Sequence, residues 1–231
     1  MEVEMLSQLC IKPSTPTPDH LKTYKISLID QIIPSYYVPM ILVYPMNQET
    51  EHLPSGSFKS ERSLRLKQSL SEALTIFYPL AGKVKDDLTI DCDDEGACYV
   101  EARSVGGSLS QHLSQPDPKF NRKLLPPELN CWRPSPGSHV VLVQETTFAC
   151  GGIAIGVLIT HMVGDGMAFG SFLNYWAAQA HTPGELDIAQ LRPIFESPSL
   201  FPQNDAYPKE ATLRSGRDHR VPISQLLYPM Q

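Results

Sequence analysis

A buried strand that ends in a histidine is the feature that most constrains the fold of this sequence. Residues Ile153–Ile159 form an apolar run of the length and composition expected of a strand buried on both faces. His161 follows that run, and Gly164 and Gly166 let the backbone turn tightly before an amphipathic helical stretch begins. The order of strand, turn and helix predicts an imidazole held in a fixed position at the mouth of a cleft.

His161 is the candidate general base, because a neutral imidazole can accept a proton near pH 7. Asp165 stands four residues later, a spacing that arises by chance for about 5% of histidines and is weak evidence alone. Asp165 also directly precedes the helical stretch, so it is equally a candidate N-cap. The two roles are compatible, and an orienting role for Asp165 is favoured over direct acid–base chemistry.

Length, charge and cysteine content exclude several classes of protein. The 231 residues are 42% hydrophobic, enough to bury one sizeable core. A net charge of −6 without a basic stripe argues against a nucleic-acid partner. The chain has no apolar segment long enough to cross a membrane and no secretory signal, which predicts a cytoplasmic protein. Its five cysteines include no CxxC pair, so neither a metal site nor a disulfide framework is predicted.

Hydrophobic periodicity predicts interleaved strands and helices, and hence an α/β or α+β fold in layers. The predicted strands are a strand start in Lys22–Ile33, Tyr37–Tyr44, a hairpin of Leu88–Cys92 and Cys98–Ala102, His139–Phe148 and Ile153–Thr160. The predicted helical segments are Ser60 to about Tyr78, a turn at Leu109–Leu113, and Gly166–Ala180. Asn47–Ser57 is predicted as loop, and proline-rich stretches at Pro13–Pro18, Pro116–Pro136 and Pro193–Pro208 as extended connectors.

An acidic segment at Asp91–Gly96 resembles the opening of a calcium loop. Such a loop needs an acidic ligand at its twelfth position, and that position is Ala102 here. A solvated hairpin turn is therefore the favoured interpretation. The sequence contains neither G-x-S-x-G nor GxxxxGK[ST], which disfavours a serine hydrolase and a P-loop protein.

Several motifs in the same order carry a family resemblance. HMVGDG at His161–Gly166 resembles the HxxxDG motif of the plant BAHD acyl-CoA-dependent acyltransferases, and FYPLAGK and DCDDEGACYVEA resemble two further motifs of that family. Leu28–Pro45 is similar to its first long strand, and Pro16–Gln31 to the start of its alkaloid branch. The resemblance extends over roughly Ile11–Pro202.

The resemblance implies a fold and a domain organisation. The fold would be a two-layer sandwich like that of chloramphenicol acetyltransferase, a mixed sheet with helices on one face, forming the N-terminal domain of a two-domain family. Residues 1–192 would be that domain, residues 193–208 the start of an inter-domain linker, and residues 209–231 a divergent tail. The family's DFGWG motif does not occur in the sequence, and its second domain is expected to be absent.

The resemblance also implies an activity and a set of site residues. An acyl group would pass from acyl-CoA, such as acetyl-CoA, to a hydroxyl of a plant specialised metabolite such as an alkaloid. His161 would be the base of a ternary complex, Asp165 would be structural, and no cofactor would be tightly bound. Met40 and Leu42 are candidates for the acceptor pocket, with core packing as their alternative role.

Two other hypotheses stay open at this stage. The chain could be an inactive homologue that binds a metabolite or another protein, because a face left without a second domain would be apolar. Self-association through that face, including a homotrimer that rebuilds a second wall, is a further possibility.

Overall fold

The computed structural model describes residues 1–46, 55–127, 133–181, 192–204, 206 and 227–229. The strands are β1 (Glu2–Ile11), β2 (Thr23–Lys25), β3 (Tyr37–Tyr44), β4 (Lys83–Asp86), β5 (Thr89–Asp91), β6 (Ala97–Val105), β7 (Val141–Thr147), β8 (Ile153–Thr160) and β9 (Leu227–Pro229). The helices are α1 (Leu28–Gln31), α2 (Ser55–Ile76), α3 (Leu109–Ser114), α4 (Pro118–Lys123), α5 (Gly166–His181) and α6 (Ser197–Leu200).

A six-stranded mixed sheet forms the centre of the fold, in the order β1-β6-β7-β8-β3-β9. The β6–β7 and β3–β9 pairs are parallel, and the other neighbours are antiparallel. A second sheet, in the order β2-β5-β4, has three short strands. The predicted strands Tyr37–Tyr44 and Ile153–Thr160 are confirmed with their bounds, and His139–Phe148 is confirmed as the slightly shorter β7.

The two faces of the sheet bury two separate hydrophobic clusters. The helices α2 and α5 pack over one face, where Ile153, Ile155, Val157 and Ile159 of β8 meet aromatic side chains such as Phe172. This arrangement confirms the predicted mixed sheet, with its two long helices packed on one face. The alternate residues of β8 enter a smaller cluster on the opposite face, which the short helices α3 and α4 cover.

The strand β8 is buried along its whole length, as its apolar run predicts. Burying one large aliphatic side chain contributes roughly 1.5–3 kcal/mol, so β8 stabilises both layers. None of the helices in the described ranges is both long enough and apolar enough to span a membrane.

The strand start predicted in Lys22–Ile33 is only partly correct. Strand β2 covers three residues of it, and the segment that resembles a first long strand opens with the helix α1. A capping box causes the change, because Ser27 Oγ accepts a hydrogen bond from the Asp30 N–H while the Asp30 carboxylate accepts one from the Ser27 N–H.

The predicted hairpin of Leu88–Cys92 and Cys98–Ala102 is wrong, because the two strands belong to different sheets. Strand β5 pairs with β2 and β4, whereas β6 pairs with β1 and β7. The connection between them is tied elsewhere: Gly96 N–H donates to the Ala81 carbonyl over 2.8 Å, and the Asp94 carboxylate accepts from Lys22 Nζ over 2.6 Å. Asp94 is therefore held by an ion pair and serves to anchor the chain.

Other boundaries differ from the predictions as well. Helix α2 begins at Ser55, so Ser60 lies inside the helix and is not its N-cap. Of the predicted loop Asn47–Ser57, residues 47–54 lie outside the described residues, and the rest is helical. Strand β1 was not predicted, and α4 and α6 occur within the stretches expected to be extended connectors.

Candidate active site at the end of β8

His161 is the first residue after β8, and its backbone is fixed by the neighbouring strand. Strands β3 and β8 pair antiparallel, with Tyr37 opposite Thr160. The pairing continues one step further, because the His161 N–H donates to the Tyr36 carbonyl over 2.8 Å. The histidine therefore leaves the sheet at a defined position.

Two aromatic rings hold the His161 side chain. The Tyr36 ring lies 5.5 Å from the imidazole, centroid to centroid, and the Phe169 ring lies 5.8 Å from it, both edge to face. Contacts of this kind are worth about 0.5–1.5 kcal/mol each. Nδ1 is buried and has no hydrogen-bond partner among the described residues, while the residue as a whole is half-buried. Packing, rather than hydrogen bonding at Nδ1, therefore sets the orientation of the ring.

Asp165 is exposed, and its carboxylate caps the helix α5. Oδ1 accepts hydrogen bonds from the N–H groups of Met167 and Ala168, both at 3.0 Å. The Asp165 carbonyl accepts from the Phe169 N–H, also at 3.0 Å. The cap thus fixes the first turn of α5, which carries Phe169 against the imidazole, and the unpartnered Nδ1 of His161 receives no bond from this carboxylate.

A cavity of about 490 Å³ opens beside the turn that connects His161 to α5. Its walls come from α1, the Val163–Asp165 turn, the start of α5 and residues 192–197. Phe169 belongs to the wall and also contacts the imidazole, so this ring stands between the cavity and His161. A volume of this size matches that of small-molecule pockets in other proteins.

The wall of the cavity is mainly apolar with a few charged and polar groups. Asp30, Asp165 and Arg192 line it, together with Tyr24 and Phe195. Burial, aided by the nearby Asp30 charge, raises the pKa of Tyr24 well above its usual value, so the phenol keeps its proton. The Phe195 ring packs edge to face on Tyr24 at 5.9 Å, which fixes the 192–197 segment at the rim.

Met40 and Leu42 lie on the face of β3 that carries α2 and α5, half-buried against the main core. Met40 pairs with Val157 and Leu42 with Ile155. At about 3.3 Å per residue, these positions lie about 13 and 20 Å along β8 from His161. Neither residue lines the cavity, and their role in acceptor binding remains a prediction.

The sequence did not single out Tyr36 or Phe169 as site residues. Phe169 was predicted only as part of the apolar side of α5. Tyr36 becomes visible once β3 is aligned antiparallel to β8, because the residue before β3 then faces the residue after β8. In the described ranges, no group of three His, Cys, Asp or Glu side chains is arranged to hold a metal ion.

Comparison with known proteins identifies the family. A model described as the Transferase family matches residues 1–224. The chain belongs to this family. The predicted resemblance to the plant BAHD acyltransferases is thereby confirmed, and members of the family use acyl-CoA as co-substrate.

Similar plant enzymes and one solved structure support the assignment. Epi-neemfruitin B 7-O-acetyltransferase of Melia azedarach is 46% identical over 217 residues, which cover 92% of this chain and 47% of that enzyme. Salutaridinol 7-O-acetyltransferase of Papaver somniferum is 36% identical over 211 residues, 88% of this chain and 43% of that enzyme. The crystal structure of vinorine synthase superposes with a TM-score of 0.74 at 36% identity, over 90% of this chain and 49% of that one. The chain thus spans about half the length of the relatives that it matches.

Proposed function

We propose that this chain carries the histidine-bearing half of an acyl-CoA-dependent O-acyltransferase of plant specialised metabolism. The proposal depends on the position and surroundings of the His161 side chain. It is a half-buried imidazole, fixed at the end of a buried strand between two rings, in a chain of the Transferase family. An imidazole held in this way suits a general base better than a side chain that only fills the core.

The proposed chemistry moves one proton in two steps, from the acceptor hydroxyl to His161 and then to the sulfur of CoA. A neutral His161 accepts the proton of the acceptor hydroxyl as the hydroxyl oxygen attacks the thioester carbonyl carbon of acyl-CoA. Nδ1 is the buried nitrogen, so Nε2 is the nitrogen that would face the hydroxyl. Collapse of the tetrahedral intermediate expels the CoA thiolate, which takes up the proton, and yields the ester. Asp165 acts through the helix cap and not on the substrate.

Two classes of acceptor follow from the relatives. Limonoid 7-O-acetyltransferase of Citrus sinensis and the salutaridinol 7-O-acetyltransferase named above are both similar to this chain, at 42% and 36% identity. The acceptor is accordingly a bulky polycyclic alcohol, and acetyl-CoA is the donor.

We further propose that residues 1–192 form the catalytic domain and residues 193–208 a linker. The protein would lie in the cytoplasm and have small molecules as its substrates.

The proposal is tested with isotopically labelled acetyl-CoA and a panel of limonoid and alkaloid alcohols. We expect His161→Ala to lower the rate of ester formation by about 10²–10⁴-fold, the usual contribution of a general base. His20→Ala is the matched control, because His20 is an exposed histidine outside the site. Undiminished transfer by His161→Ala would remove His161 from the mechanism. A wild-type chain that forms no ester with any alcohol in the panel would contradict the proposal for this chain.

A second candidate function is protein binding by an inactive homologue. Large apolar side chains are exposed on and beside the cavity wall: 44% of Ile29 on α1, 47% of Ile32 directly after α1, 78% of Ile194, and 68% of Leu200 on α6. The Leu28 N–H donates to the Phe201 carbonyl, which brings α1 and the end of α6 together. We call Ile29, Ile32, Ile194, Leu200 and Phe201 the apolar surface; such patches are typical of interaction sites.

A further inference from the structure

Two cysteines lie directly opposite each other on neighbouring strands. In the antiparallel ladder between β1 and β6, Cys10 is the partner of Cys98. Neither forms a disulfide in the structure, and Cys10 is exposed whereas Cys98 is buried. Neither residue belongs to the candidate active site at the far side of the sheet, where β8 meets β3.

The two side chains project from the same face of the sheet. Residues directly opposite in an antiparallel pair always do so. Along β6, Tyr99 enters the cluster under α2 and α5, whereas Cys98 enters the cluster on the opposite face. Along β1, Leu9 and Ile11 join the first of these clusters, so Cys10 between them points to the Cys98 side.

The distance between the strands suits a disulfide. Opposed residues of an antiparallel pair have Cα atoms about 4.5–5.5 Å apart, and disulfides need roughly 4.4–6.8 Å. Gln8 Nε2, two residues before Cys10 on the same face, donates to Cys98 Sγ over 3.3 Å. The buried sulfur therefore lies on the side of β6 that faces β1.

The register at this pair is fixed by a close approach of two segments of the chain, at Gly96 and Ile11. Gly96 has a φ of +89°, and a Cβ built on it would lie 2.2 Å from the Ile11 carbonyl oxygen. Only glycine fits there, so β6 enters the ladder in contact with the end of β1. The opposition of Cys10 and Cys98 is thus a constrained feature of the fold.

We propose that Cys10 and Cys98 form a reversible disulfide, a modification site that responds to glutathione disulfide. The exposed Cys10 thiolate attacks a sulfur of glutathione disulfide, which forms a mixed disulfide and releases one glutathione. The Cys98 thiol then loses its proton, and its sulfur attacks the Cys10 sulfur, which breaks the mixed disulfide and releases the second glutathione. Two protein thiols are oxidised, and one glutathione disulfide is reduced to two glutathione molecules.

The other described cysteines do not compete for this reaction. Burial raises the pKa of the Cys92 thiol to about 12, so its reactive thiolate is scarce near pH 7. Cys150 lies in the turn that follows β7, beyond Thr147, whereas the β7 residue paired with Cys98 is Leu142. Cys131 lies outside the described residues.

The bond would tether the outermost strand on one side of the main sheet. Among the described strands, β1 has β6 as its single neighbour in the sheet. The pairing is interrupted by a bulge between Met5 and Ser7, which weakens the ladder at its middle. A covalent link at Cys10 would hold the C-terminal half of β1 on the sheet when the ladder hydrogen bonds next to the bulge break.

The test uses a variant in which Cys92, Cys131 and Cys150 are replaced by serine, so that two of the five cysteines remain. The variant is incubated with glutathione buffers of rising oxidised fraction and analysed by thiol titration and by mass spectrometry of non-reducing digests. We expect loss of both thiols together, a monomer two hydrogen atoms lighter, and one cross-linked peptide that contains both cysteines. Hydrogen exchange of the Gln8–Ile11 amides should slow on oxidation and recover on reduction.

Single substitutions provide the controls. Cys10→Ser in the same background should keep Cys98 reduced and unreactive towards glutathione disulfide, while Cys98→Ala should leave Cys10 with a stable glutathione adduct. Cys10 is exposed, so its serine variant is expected to fold even if the Cys98 variant does not. A persistent glutathione adduct or a disulfide-linked dimer in the protein that retains both cysteines would overturn the proposal.

Discussion

At the scale of single residues, burial and close contact decide which side chains can do chemistry. His161 keeps part of its surface accessible while Tyr36 and Phe169 fix its ring. His112, in contrast, is 1% exposed, and burial lowers its pKa. These two histidines of one chain thus differ in their surroundings, and of the two His161 is the candidate base.

Close contact also predicts opposite effects for the same substitution at two glycines. A Cβ at Gly156 in β8 would lie 2.1 Å from the Leu124 carbonyl oxygen, whereas a Cβ at Gly170 in α5 would meet nothing within 4 Å. We expect Gly156→Ala to lower the free energy of unfolding by about 1–3 kcal/mol through overpacking. Gly170→Ala should raise it by about 0.5–1 kcal/mol, because alanine favours a helix interior.

Urea denaturation followed by circular dichroism measures both changes. The backbone at Leu124 cannot easily move aside, since Gln144 Nε2 donates to the neighbouring Lys123 carbonyl over 2.8 Å. Equal midpoints for the two alanine variants would show that the space around Gly156 is larger than the contact implies.

At the scale of elements, the start of α5 links the helix to the candidate base. The cap formed by Asp165 fixes the turn in which Phe169 reaches the imidazole. The sequence offered two compatible roles for this aspartate, a cap and an orienting group. In the structure the cap is visible, and any effect of Asp165 on His161 passes through the first turn of α5.

A pair of substitutions at Asp165 separates capping from charge. We expect Asp165→Ala to lower the free energy of unfolding by about 0.5–2 kcal/mol, because two helix N–H groups lose their acceptor. Asp165→Asn should stay within a few tenths of a kcal/mol of the parent, since asparagine caps equally well. Thermal unfolding measures both, with amide exchange in the first turn of α5 as a local probe. A loss of stability in Asp165→Asn equal to that in Asp165→Ala would show that the charge, not the cap, matters.

At the scale of the whole molecule, the apolar surface and the cavity lie on the same side of α1. The Leu28–Phe201 backbone bond joins α1 to the segment after α6, and Ile29 and Ile194 belong to both the cavity wall and the apolar surface. Exposed apolar side chains grouped in this way favour association over solvation. The surface is therefore where the chain would meet a partner or a second copy of itself.

We expect the chain to associate with itself as its concentration rises, in a way that depends on the apolar surface. Ile194→Ser combined with Leu200→Ser should shift the mass measured by light scattering towards the monomer. Leu64→Ser is the matched control, because Leu64 is 64% exposed but lies on α2, away from this surface. A parent chain that remains monomeric at all concentrations, or association that persists in the double variant, would contradict this expectation.

Elements with a strong and local pattern could be predicted from the sequence alone. The fully apolar β8, the alternating β3 and the amphipathic α5 were predicted with nearly correct bounds, and the motif at His161–Gly166 led to the family. Strand β1 was missed because an edge strand is exposed over most of its length and shows little alternation.

Which elements become neighbours, in contrast, depends on how the whole chain packs. Strands β5 and β6 are close in sequence and yet lie in different sheets, because hydrogen bonds to Ala81 and Lys22 redirect the chain between them. Tyr36 reaches His161, and Cys10 reaches Cys98, only through strand registers that join distant segments. Local periodicity is a property of adjacent residues, whereas register is set by the packing of the whole sheet. The sequence therefore indicates which residues are candidates for the site, but it does not show which distant residues meet there.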